Sequence, residues 1–560
     1  MLKPLYLAAA LTLAAGAVAA QSASKVKIKT KPGRTASAPA AADAAPAAPT
    51  DWSLPYATGI TPDGLKQDLS VLASDEYEGR ETGKKGQKMA ADYIARAFAA
   101  DGLTGPVTGS DNAYIQHFDM NRVTLNAPAT TVKLGGRTYQ GNKDFYALLG
   151  EDFSAPTAVQ PLFVGYGIKE EKYSDLAATP DLKGKDIVLL AGEPVNAQGK
   201  SLIGADGKPS PYAEANLKGM GARQRTLFPM GARSITIIMP TTAAFAQVPT
   251  SFGPVLGRDE ITFVGAAAKP GLNVLIVSPE LGAKILGTTP AGLDKYRQAV
   301  GRAGKPIASP FKPAAATVQA VQKKEPFTTE NVLGYLEGSD KKDEIVVISA
   351  HYDHLGLKNG VVYNGADDDG SGTVSVLAMA RAFAQAKKEG HGTRRSILFL
   401  ANTGEEEGLL GSQYYTDHPV FPLENTVTDL NIDMVGRVDS VHMGKGDYVY
   451  LVGDDKLSSE LHTLSEATNQ QYNPVALDYK YNDPADPERI YYRSDHYNFA
   501  KHKVPVIFYT SGLHPQYHQA TDDVELIDFP AMARRDHLIF HTAWALANRD
   551  ARVVVDSSKP

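Results

Sequence analysis

The sequence of 560 residues contains no cysteine. This absence excludes disulfide bonds, thiolate ligands for zinc, a cysteine nucleophile and a lipid-modified cysteine at a leader cleavage site. Stability therefore has to come from packing and from any metal that the fold binds. Two catalytic motifs are missing as well. The chain has no Gly-x-Ser-x-Gly segment of a serine hydrolase and no His-Glu-x-x-His helix of a metalloprotease.

The sequence also lacks a large excess of charge of either sign. It contains 57 basic and 63 acidic residues, which gives a net charge of −6. No basic patch indicates a nucleic-acid partner, and no acidic block indicates a solvating tail. A composition of 43% hydrophobic and 21% charged residues is typical of soluble globular proteins. The length exceeds what one hydrophobic core supports, so we expect two or more domains.

The first 50 residues differ from the rest. Residues 1–20 have the pattern of a signal peptide, with Lys3 before an apolar run at 5–18 and small residues at 17–20. The apolar run is short for a membrane span. We therefore predict an exported protein, periplasmic or secreted, without stable membrane insertion after cleavage. Residues 21–50 are rich in alanine and proline and predict a disordered linker.

The remaining chain divides into three parts. Residues 51–122 carry helical periodicity, and residues 123–322 carry short β-like runs that predict a mainly β insert. Residues 323–560 alternate between strand and helix patterns, which predicts an α/β fold with a largely parallel central sheet flanked by helices. Ligand sites in such folds lie at the carboxyl ends of strands. The predicted elements are strands 345–350, 396–402, 428–434, 448–452 and 504–510, and helices 372–388, 408–417, 456–470 and 529–548.

The first candidate site lies where the strand 345–350 ends. His351 follows the strand, and Asp353 is predicted on the same face because alternate residues of a strand point the same way. A loop beginning near Gly365 then supplies three adjacent aspartates, residues 367–369. These carboxylates repel one another unless a cation lies among them, which favours a divalent metal site. A hydrogen-bonded structural histidine and a helix-capping aspartate are the competing interpretations, and the EF-hand spacing of calcium sites is absent.

Later strands end in further metal-ligating or acid–base groups. Glu405 and Glu406 follow the strand 396–402, and adjacent carboxylates can divide the roles of metal ligand and general base. Asp433 interrupts an apolar strand, where a lone carboxylate is costly unless it is paired or bound to metal. His518 lies in the loop after the last strand.

These motifs together resemble the M28 family of zinc aminopeptidases, in particular exported bacterial members with a protease-associated (PA) insert. The resemblance spans residues 349–523, and residues 72–83 look like the family's N-terminal part. The insert resembles a PA domain less specifically, through residues 164–168 and 181–194. The matching motifs are SAHYDHLG (349–356), NGADDDGSG (364–372), TGEEEGLLGS (403–412), NIDMVG (431–436), RSDHYNF (493–499) and YHQATDD (517–523).

The resemblance implies two zinc ions per chain bridged by Asp368. One ion would also be bound by His351 and Asp433, and the other by Glu406 and His518. Glu405 would be the general base and Asp353 the partner of His351. The three carboxylate ligands leave one positive charge on two Zn²⁺, which suits a bridging hydroxide as nucleophile. The implied substrates are peptides with a free N-terminus.

Three other functions remain open at this point. A carboxypeptidase or a glutaminyl cyclase could use the same fold; the cyclases work with one zinc ion. For a carboxypeptidase, Arg493 is the candidate that would grip the substrate carboxylate. A PA-mediated binding protein with a vestigial peptidase is the third. Zinc itself rests on the resemblance, because His and carboxylate sites accept several metals, and the residues give no indication of the oligomeric state.

Overall fold

The structure, a computed structural model, describes residues 51–148, 150, 153–177, 181–253, 255–266, 273–472 and 474–559. The predicted signal peptide (1–20) and linker (21–50) lie outside the described residues. Within the described part of the chain, no helix has the length and apolar character needed to cross a membrane.

The N-terminal part of the chain is helical and ends in a long strand. Proline at the first position and a Thr61 side chain that accepts a hydrogen bond from the main chain of Gly64 begin the second helix. The elements are α1 (Ser53–Ala57), α2 (Pro62–Leu72), α3 (Lys85–Ala100) and β1 (Ile115–Leu125).

The insert, residues 123–322, contains helices as well as strands, so the prediction of a mainly β insert understates its helical content. Of the five α-helices in its described residues, three have seven residues or fewer, too short for an apolar period to be recognised, and the two longer ones were missed among the short β-like runs. The elements are β2 (Thr131–Leu134), β3 (Arg137–Gln140), β4 (Phe145–Ala147), β5 (Phe153–Val159), β6 (Pro161–Phe163), β7 (Lys169–Glu170), β8 (Tyr173–Ser174), β9 (Asp186–Leu190), α4 (Leu217–Leu227), β10 (Ser234–Ile238), α5 (Thr242–Ala246), α6 (Val248–Ser251), β11 (Glu260–Phe263), β12 (Asn273–Val277), α7 (Pro279–Ile285), α8 (Pro290–Ala303) and β13 (Ala316–Ala320).

The C-terminal part contains each strand and helix that the sequence predicts there, with ends displaced by a few residues. One displacement matters for the site, because Asp433 follows its strand rather than lying within it. The elements are β14 (Gln322–Leu336), β15 (Lys341–His351), β16 (Gly356–Lys358), β17 (Val361–Tyr363), α9 (Gly372–Lys388), β18 (Arg395–Asn402), α10 (Leu410–Asp417), β19 (Thr426–Ile432), β20 (Tyr448–Val452), α11 (Ser459–Tyr472), β21 (Ala476–Asp478), α12 (His496–Lys501), β22 (Val506–Thr510) and α13 (Phe529–Asn548).

The central sheet is a mixed sheet of nine strands in the order β11-β1-β14-β18-β15-β19-β22-β20-β21. Its middle strands β18, β15, β19 and β22 run parallel to one another. Strands β11, β1 and β14 on one side, and β20 on the other, join by antiparallel pairing. The predicted α/β fold is confirmed, and the parallel part is the middle of the sheet rather than most of it.

Helices cover both faces of this sheet. Along β15, Val346 and Ile348 pack in the core beneath α9 and α13, whereas Ile345 and Val347 pack with Tyr415 of α10 and Phe499 of α12. This alternation follows from the two-residue period of a strand buried on both faces. The four parallel strands therefore form a rigid layer whose carboxyl ends meet at one edge.

The long antiparallel pair β1 and β14 connects the insert to the central sheet. Within the insert, a five-stranded and a four-stranded sheet share one core, and a second core covers the other face of the five-stranded sheet. Strand β11 of the insert belongs to neither of these sheets. It pairs with β1 instead, so that Arg122 lies opposite Ile261. The insert thus contributes the edge strand of the nine-stranded sheet.

Candidate functional site

The carboxyl ends of the four parallel strands bring the predicted site residues together. His351 is the last residue of β15, and Glu405 and Glu406 lie in the loop that follows β18. Asp433 comes directly after β19, and His518 lies in the loop after β22. Because parallel strands end at the same edge of a sheet, positions far apart in sequence become neighbours.

His351 is the centre of one group of ligand atoms. Its Nε2 atom lies 3.4 Å from Oδ1 of Asp368, 3.7 Å from Oδ2 of Asp433 and 3.8 Å from Oε2 of Glu405. The imidazole is 1% exposed. A nitrogen and several carboxylate oxygens at this spacing could hold one cation, and Glu405 lies as near to His351 as Asp433 does.

His518 is the centre of a second group. Its Nε2 atom lies 3.1 Å from Oδ2 of Asp368 and 3.1 Å from Oε2 of Glu406. Asp368 therefore directs one carboxylate oxygen toward His351 and the other toward His518. Asp368 is therefore the carboxylate that the two groups have in common.

His354 is a further member of the second group that the sequence reasoning did not single out. Its Nδ1 atom lies 2.7 Å from Oε1 of Glu406 and 3.8 Å from Oδ2 of Asp368. Strand alternation would place His354 on the opposite face from His351. The strand ends at His351, however, and the chain turns, which brings both imidazoles to one side of the sheet edge. The sequence feature that could have indicated this role of His354 is the second histidine of the motif at 349–356.

The carboxylate of Asp433, in the first group, is held by neutral polar side chains. Ser494 donates a hydrogen bond of 2.6 Å to Oδ2 of Asp433, and Asn431 donates one of 2.8 Å to Ser494. Asn431 belongs to β19 and is buried. These bonds fix the orientation of Asp433 without a positive charge that would compete with a cation.

Asp353 supports both His351 and the Glu405 loop. The main-chain oxygen of Asp353 lies 3.1 Å from Nδ1 of His351, whereas its Oδ1 atom is 3.6 Å away. Its carboxylate accepts hydrogen bonds from the Thr82 hydroxyl at 2.8 Å and from the main-chain N–H of Glu405 at 3.2 Å. The carbonyl thus faces the imidazole, and the carboxylate holds the loop of the predicted base.

The loop that carries Asp368 is held in place by the carboxylate of Asp522. Oδ2 of Asp522 accepts hydrogen bonds from the main-chain N–H groups of Asp367 and Asp368, both at 3.0 Å. Gly365 begins this loop with a φ of +57°, and a side chain there would also collide with the ring of His354. Glycine is therefore required for the loop to pass beside the site.

Arg80 ties the N-terminal part of the chain to the same loop. The guanidinium is buried and donates hydrogen bonds to the carbonyls of Leu72, Tyr352, Asn364 and Gly365. Burial lowers the pKa of Arg80, and the surrounding aspartates oppose this effect. The segment 72–83, which resembles the family's N-terminal part, thus belongs to the framework of the site.

The site carries a large excess of negative charge. Among the described residues, no lysine or arginine comes within 4 Å of the carboxylates of Asp368, Glu405, Glu406 or Asp433, and the histidines supply the positive charge. Burial lowers the pKa of His518, but the neighbouring carboxylates of Asp368 and Glu406 raise it to about 10. Burial next to Asp433 and Glu406 raises the pKa of Glu405 well above its ordinary value.

The chemistry of these side chains fits a pair of divalent cations. The histidine atoms Nε2 of His351 and both ring nitrogens of His354 are buried without a hydrogen-bond partner, as are Oδ2 of Asp368 and Oε1 of Glu406. The short contact between His354 and Glu406 lacks hydrogen-bond geometry. Buried polar atoms of this kind are costly unless something binds them. Nitrogen and oxygen donors in such groups suit zinc.

An apolar pocket of about 420 Å³, including its open mouth, adjoins the cluster. Asp368, Glu405 and Asp433 form one wall. Arg493 lies at the pocket and donates a hydrogen bond of 3.1 Å to the hydroxyl of Tyr517. The other lining residues are Met434, Tyr481, Ile490, Phe508, Thr510, Gly512, Leu513 and Tyr517.

Comparison with known proteins identifies the region that contains this cluster. Residues 331–543 match the sequence model of Peptidase family M28. A solved structure, the aminopeptidase from Aneurinibacillus sp. strain AM-1, covers 90% of this chain and 98% of its own at a TM-score of 0.50 and 17% identity. At this identity the likeness shows the shared fold, which includes the insert.

Curated relatives match shorter stretches. Leucine aminopeptidase 2 of Arthroderma otae is 28% identical over 369 residues, which is 61% of this chain and 67% of the relative. Aminopeptidase YwaD of Bacillus subtilis is 36% identical over 111 residues, 20% of this chain and 22% of the relative. The chain spans 57% of a "Probable zinc metalloprotease" of Pyrenophora tritici-repentis, at 27% identity over 43% of the chain.

Proposed function

We propose that the protein is a dinuclear zinc aminopeptidase that hydrolyses the N-terminal bond of peptides, because residues 331–543 match the sequence model of peptidase family M28. The observation that carries this proposal is Asp368, whose two oxygens lie beside His351 and His518. Aminopeptidases among the similar proteins support the substrate class. The predicted signal peptide extends the proposal to an exported enzyme, and a PA domain remains the proposed identity of the insert.

The side chains would divide into two ligand sets around Asp368. His351 and Asp433 would hold one zinc ion, and His518, Glu406 and His354 the other. When bound, the two ions would polarise the scissile carbonyl and acidify a water molecule. Ser494 would keep Asp433 oriented through its hydrogen bond of 2.6 Å.

Glu405 would be the proton carrier. Its carboxylate borders the pocket, and burial together with the charges of Asp433 and Glu406 raises its pKa well above the ordinary value. A carboxylate in this position accepts a proton from the attacking water and gives it to the leaving amine. Asp353 holds the main chain of Glu405 and thereby keeps the base directed at the substrate.

The pocket would bind the side chain of the N-terminal residue. Its walls are mainly apolar and aromatic, and the three carboxylates lie on one side. A free α-amino group would face these carboxylates while an apolar side chain fills the pocket. We therefore expect leucine-like and aromatic N-terminal residues to be cleaved faster than acidic ones.

Metal content and substrate preference measured on one preparation test the proposal. We expect about two zinc ions per chain, release of nitroaniline from unblocked leucyl, phenylalanyl and methionyl anilides, and loss of activity in a chelator with recovery on adding zinc. N-acetylated anilides provide the matched control, since they lack the free amine. Leucyl should exceed glutamyl anilide by at least about tenfold in kcat/KM, as expected for burying an apolar side chain.

Two further substrates, a peptide with N-terminal glutamine and a peptide with a blocked N-terminus, separate the remaining candidates when they are assayed on the same preparation. One zinc ion with cyclisation of N-terminal glutamine would indicate a glutaminyl cyclase. Cleavage of blocked peptides from their C-terminus would indicate a carboxypeptidase, which the position of Arg493 at the pocket favours as the second candidate. Absence of hydrolysis from every substrate at full metal content would indicate a binding protein.

His354 provides a test of the second ligand set. Replacing His354 by glutamine removes the imidazole that lies 2.7 Å from Glu406. We expect the affinity for one of the two zinc ions to fall by roughly 10- to 100-fold, measured by competition with a chromogenic chelator. His502, which is half-exposed and 3.6 Å from Asp417, supplies the control substitution His502→Gln. Unchanged affinity for both ions in His354→Gln would exclude His354 from the ligand set.

A further inference from the structure

A series of polar contacts leads from the insert to the loop that carries Glu405. It begins at Asp259, which precedes strand β11 of the insert and pairs with the guanidinium of Arg122 on β1. The Nη1 atom of Arg122 also lies 2.9 Å from Oε1 of Glu81. One arginine thus joins a carboxylate of the insert to a carboxylate of the N-terminal segment.

The series continues from Arg122 into the site. Nη2 of Arg122 donates a hydrogen bond of 3.0 Å to the main-chain oxygen of Thr82. The hydroxyl of Thr82 donates one of 2.8 Å to Oδ2 of Asp353. Oδ1 of Asp353 accepts the main-chain N–H of Glu405 at 3.2 Å. Thr82 and Asp353 are 2% and 0% exposed, so water does not replace these bonds.

The insert touches the other end of the Glu405 loop through aromatic packing. Helix α10 begins three residues after Glu407, and its Tyr414 stacks on Phe118 of β1 with ring centroids 4.5 Å apart. Phe263 of β11 packs against the same two rings. The loop is therefore bounded on both sides by groups that rest on the strand pair β1 and β11.

We propose that the insert is a working part of the active site, in which Arg122 is a positioning residue that links Asp259 through Thr82 and Asp353 to Glu405. This inference rests on the proposed function, in which Glu405 is the base. Loss of the Asp259–Arg122 pair would free the guanidinium that holds the main chain of Thr82. The hydrogen bonds from Thr82 to Asp353 and from Glu405 to Asp353 would then no longer be fixed in position. A merely structural pair at this exposure, with Asp259 30% exposed, would contribute little to stability and nothing to turnover.

Kinetics of substitutions along the series test the positioning role. Asp259→Ala and Thr82→Val should each lower kcat by about tenfold, the order found for groups that orient metal ligands and their partners, with KM and zinc content unchanged. Thr82→Ser keeps the hydroxyl and should restore kcat to within about twofold of the parent. Wild-type kcat in Thr82→Val would overturn the proposal.

Hydrogen–deuterium exchange provides a readout that does not depend on activity. In Asp259→Ala, the peptide covering 403–408 should exchange at least about threefold faster than in the parent, both with zinc and after chelation, because the Glu405 amide loses its fixed acceptor. If the parent hydrolyses no peptide, the proposed function fails while this measurement still decides the contact series. Unchanged exchange at 403–408 would overturn the series itself.

Arg233 supplies the matched control, because its pair with Asp186 lies within the insert and away from β11. Arg233→Ala should leave kcat and exchange at 403–408 at the parental level. The double variant Asp259→Ala/Thr82→Val should lose less than the product of the two single losses, since both break one series. Independent, multiplicative losses would overturn the link between Asp259 and Thr82.

Discussion

Replacing Glu405 by glutamine should lower kcat by roughly a thousandfold, within the range that a general base supplies. The amide has the same size and keeps the main-chain hydrogen bond to Asp353, but it accepts no proton. Peptide hydrolysis should therefore stop while the site stays assembled. Steady-state kinetics on leucyl anilide, with zinc content measured on the same sample, checks this expectation.

The zinc content distinguishes two roles for Glu405, because its Oε2 atom lies 3.8 Å from His351 and Asp433 is at a similar distance. Two retained ions with lost turnover would establish the base, whereas one lost ion would make Glu405 a ligand. Glu407 provides the control. Burial and the charges of Asp259 and Asp353 raise the pKa of Glu407 to about 7, and it belongs to neither group of ligand atoms. We expect Glu407→Gln to keep kcat within about threefold, as for a residue outside the proton path.

Replacing Asp368 by alanine should abolish both metal binding and activity. Asp368 is the residue shared by the two ligand sets, and its loss leaves His351 and His518 without the carboxylate that lies between them. In the parent, we expect zinc at a hundredfold excess over its Kd to stabilise the fold by about 2.7 kcal/mol for one site. We expect Asp368→Ala to show no such zinc-dependent rise in Tm and to contain less than about one ion per chain.

The control for this substitution is Asp417→Ala, since Asp417 lies 3.6 Å from His502 at the surface. That variant should keep the zinc-dependent rise in Tm and the parental activity. A zinc-dependent rise of parental size in Asp368→Ala would contradict the bridging role. Loss of the fold in the absence of metal would be recognised by circular dichroism before zinc is added.

Much of the C-terminal fold was predictable because its strands are buried on both faces. Continuous apolar runs such as 345–348 and 397–400 identify strands without knowledge of their neighbours. The antiparallel strands β1 and β14 and the short helices of the insert were harder to predict. In the two strands, apolar residues are interrupted by polar ones, and the helices α5 and α6 have only five and four residues. The pairing of the strands also depends on contacts between distant segments.

Most of the chemical groups of the site could be recognised from the sequence. His351, Asp368, Glu406, Asp433 and His518 are metal-ligating residue types, and they lie at the ends of predictable strands or in the loops that follow them. How these groups are supported could be read only from the folded chain. The turn after His351 added His354, and the carboxylate of Asp353, which lies 3.6 Å from Nδ1 of His351, also accepts a hydrogen bond from the main chain of Glu405. Periodicity reports the face of a residue within one strand or helix, whereas these contacts join segments up to about 270 positions apart, such as Thr82 and Asp353.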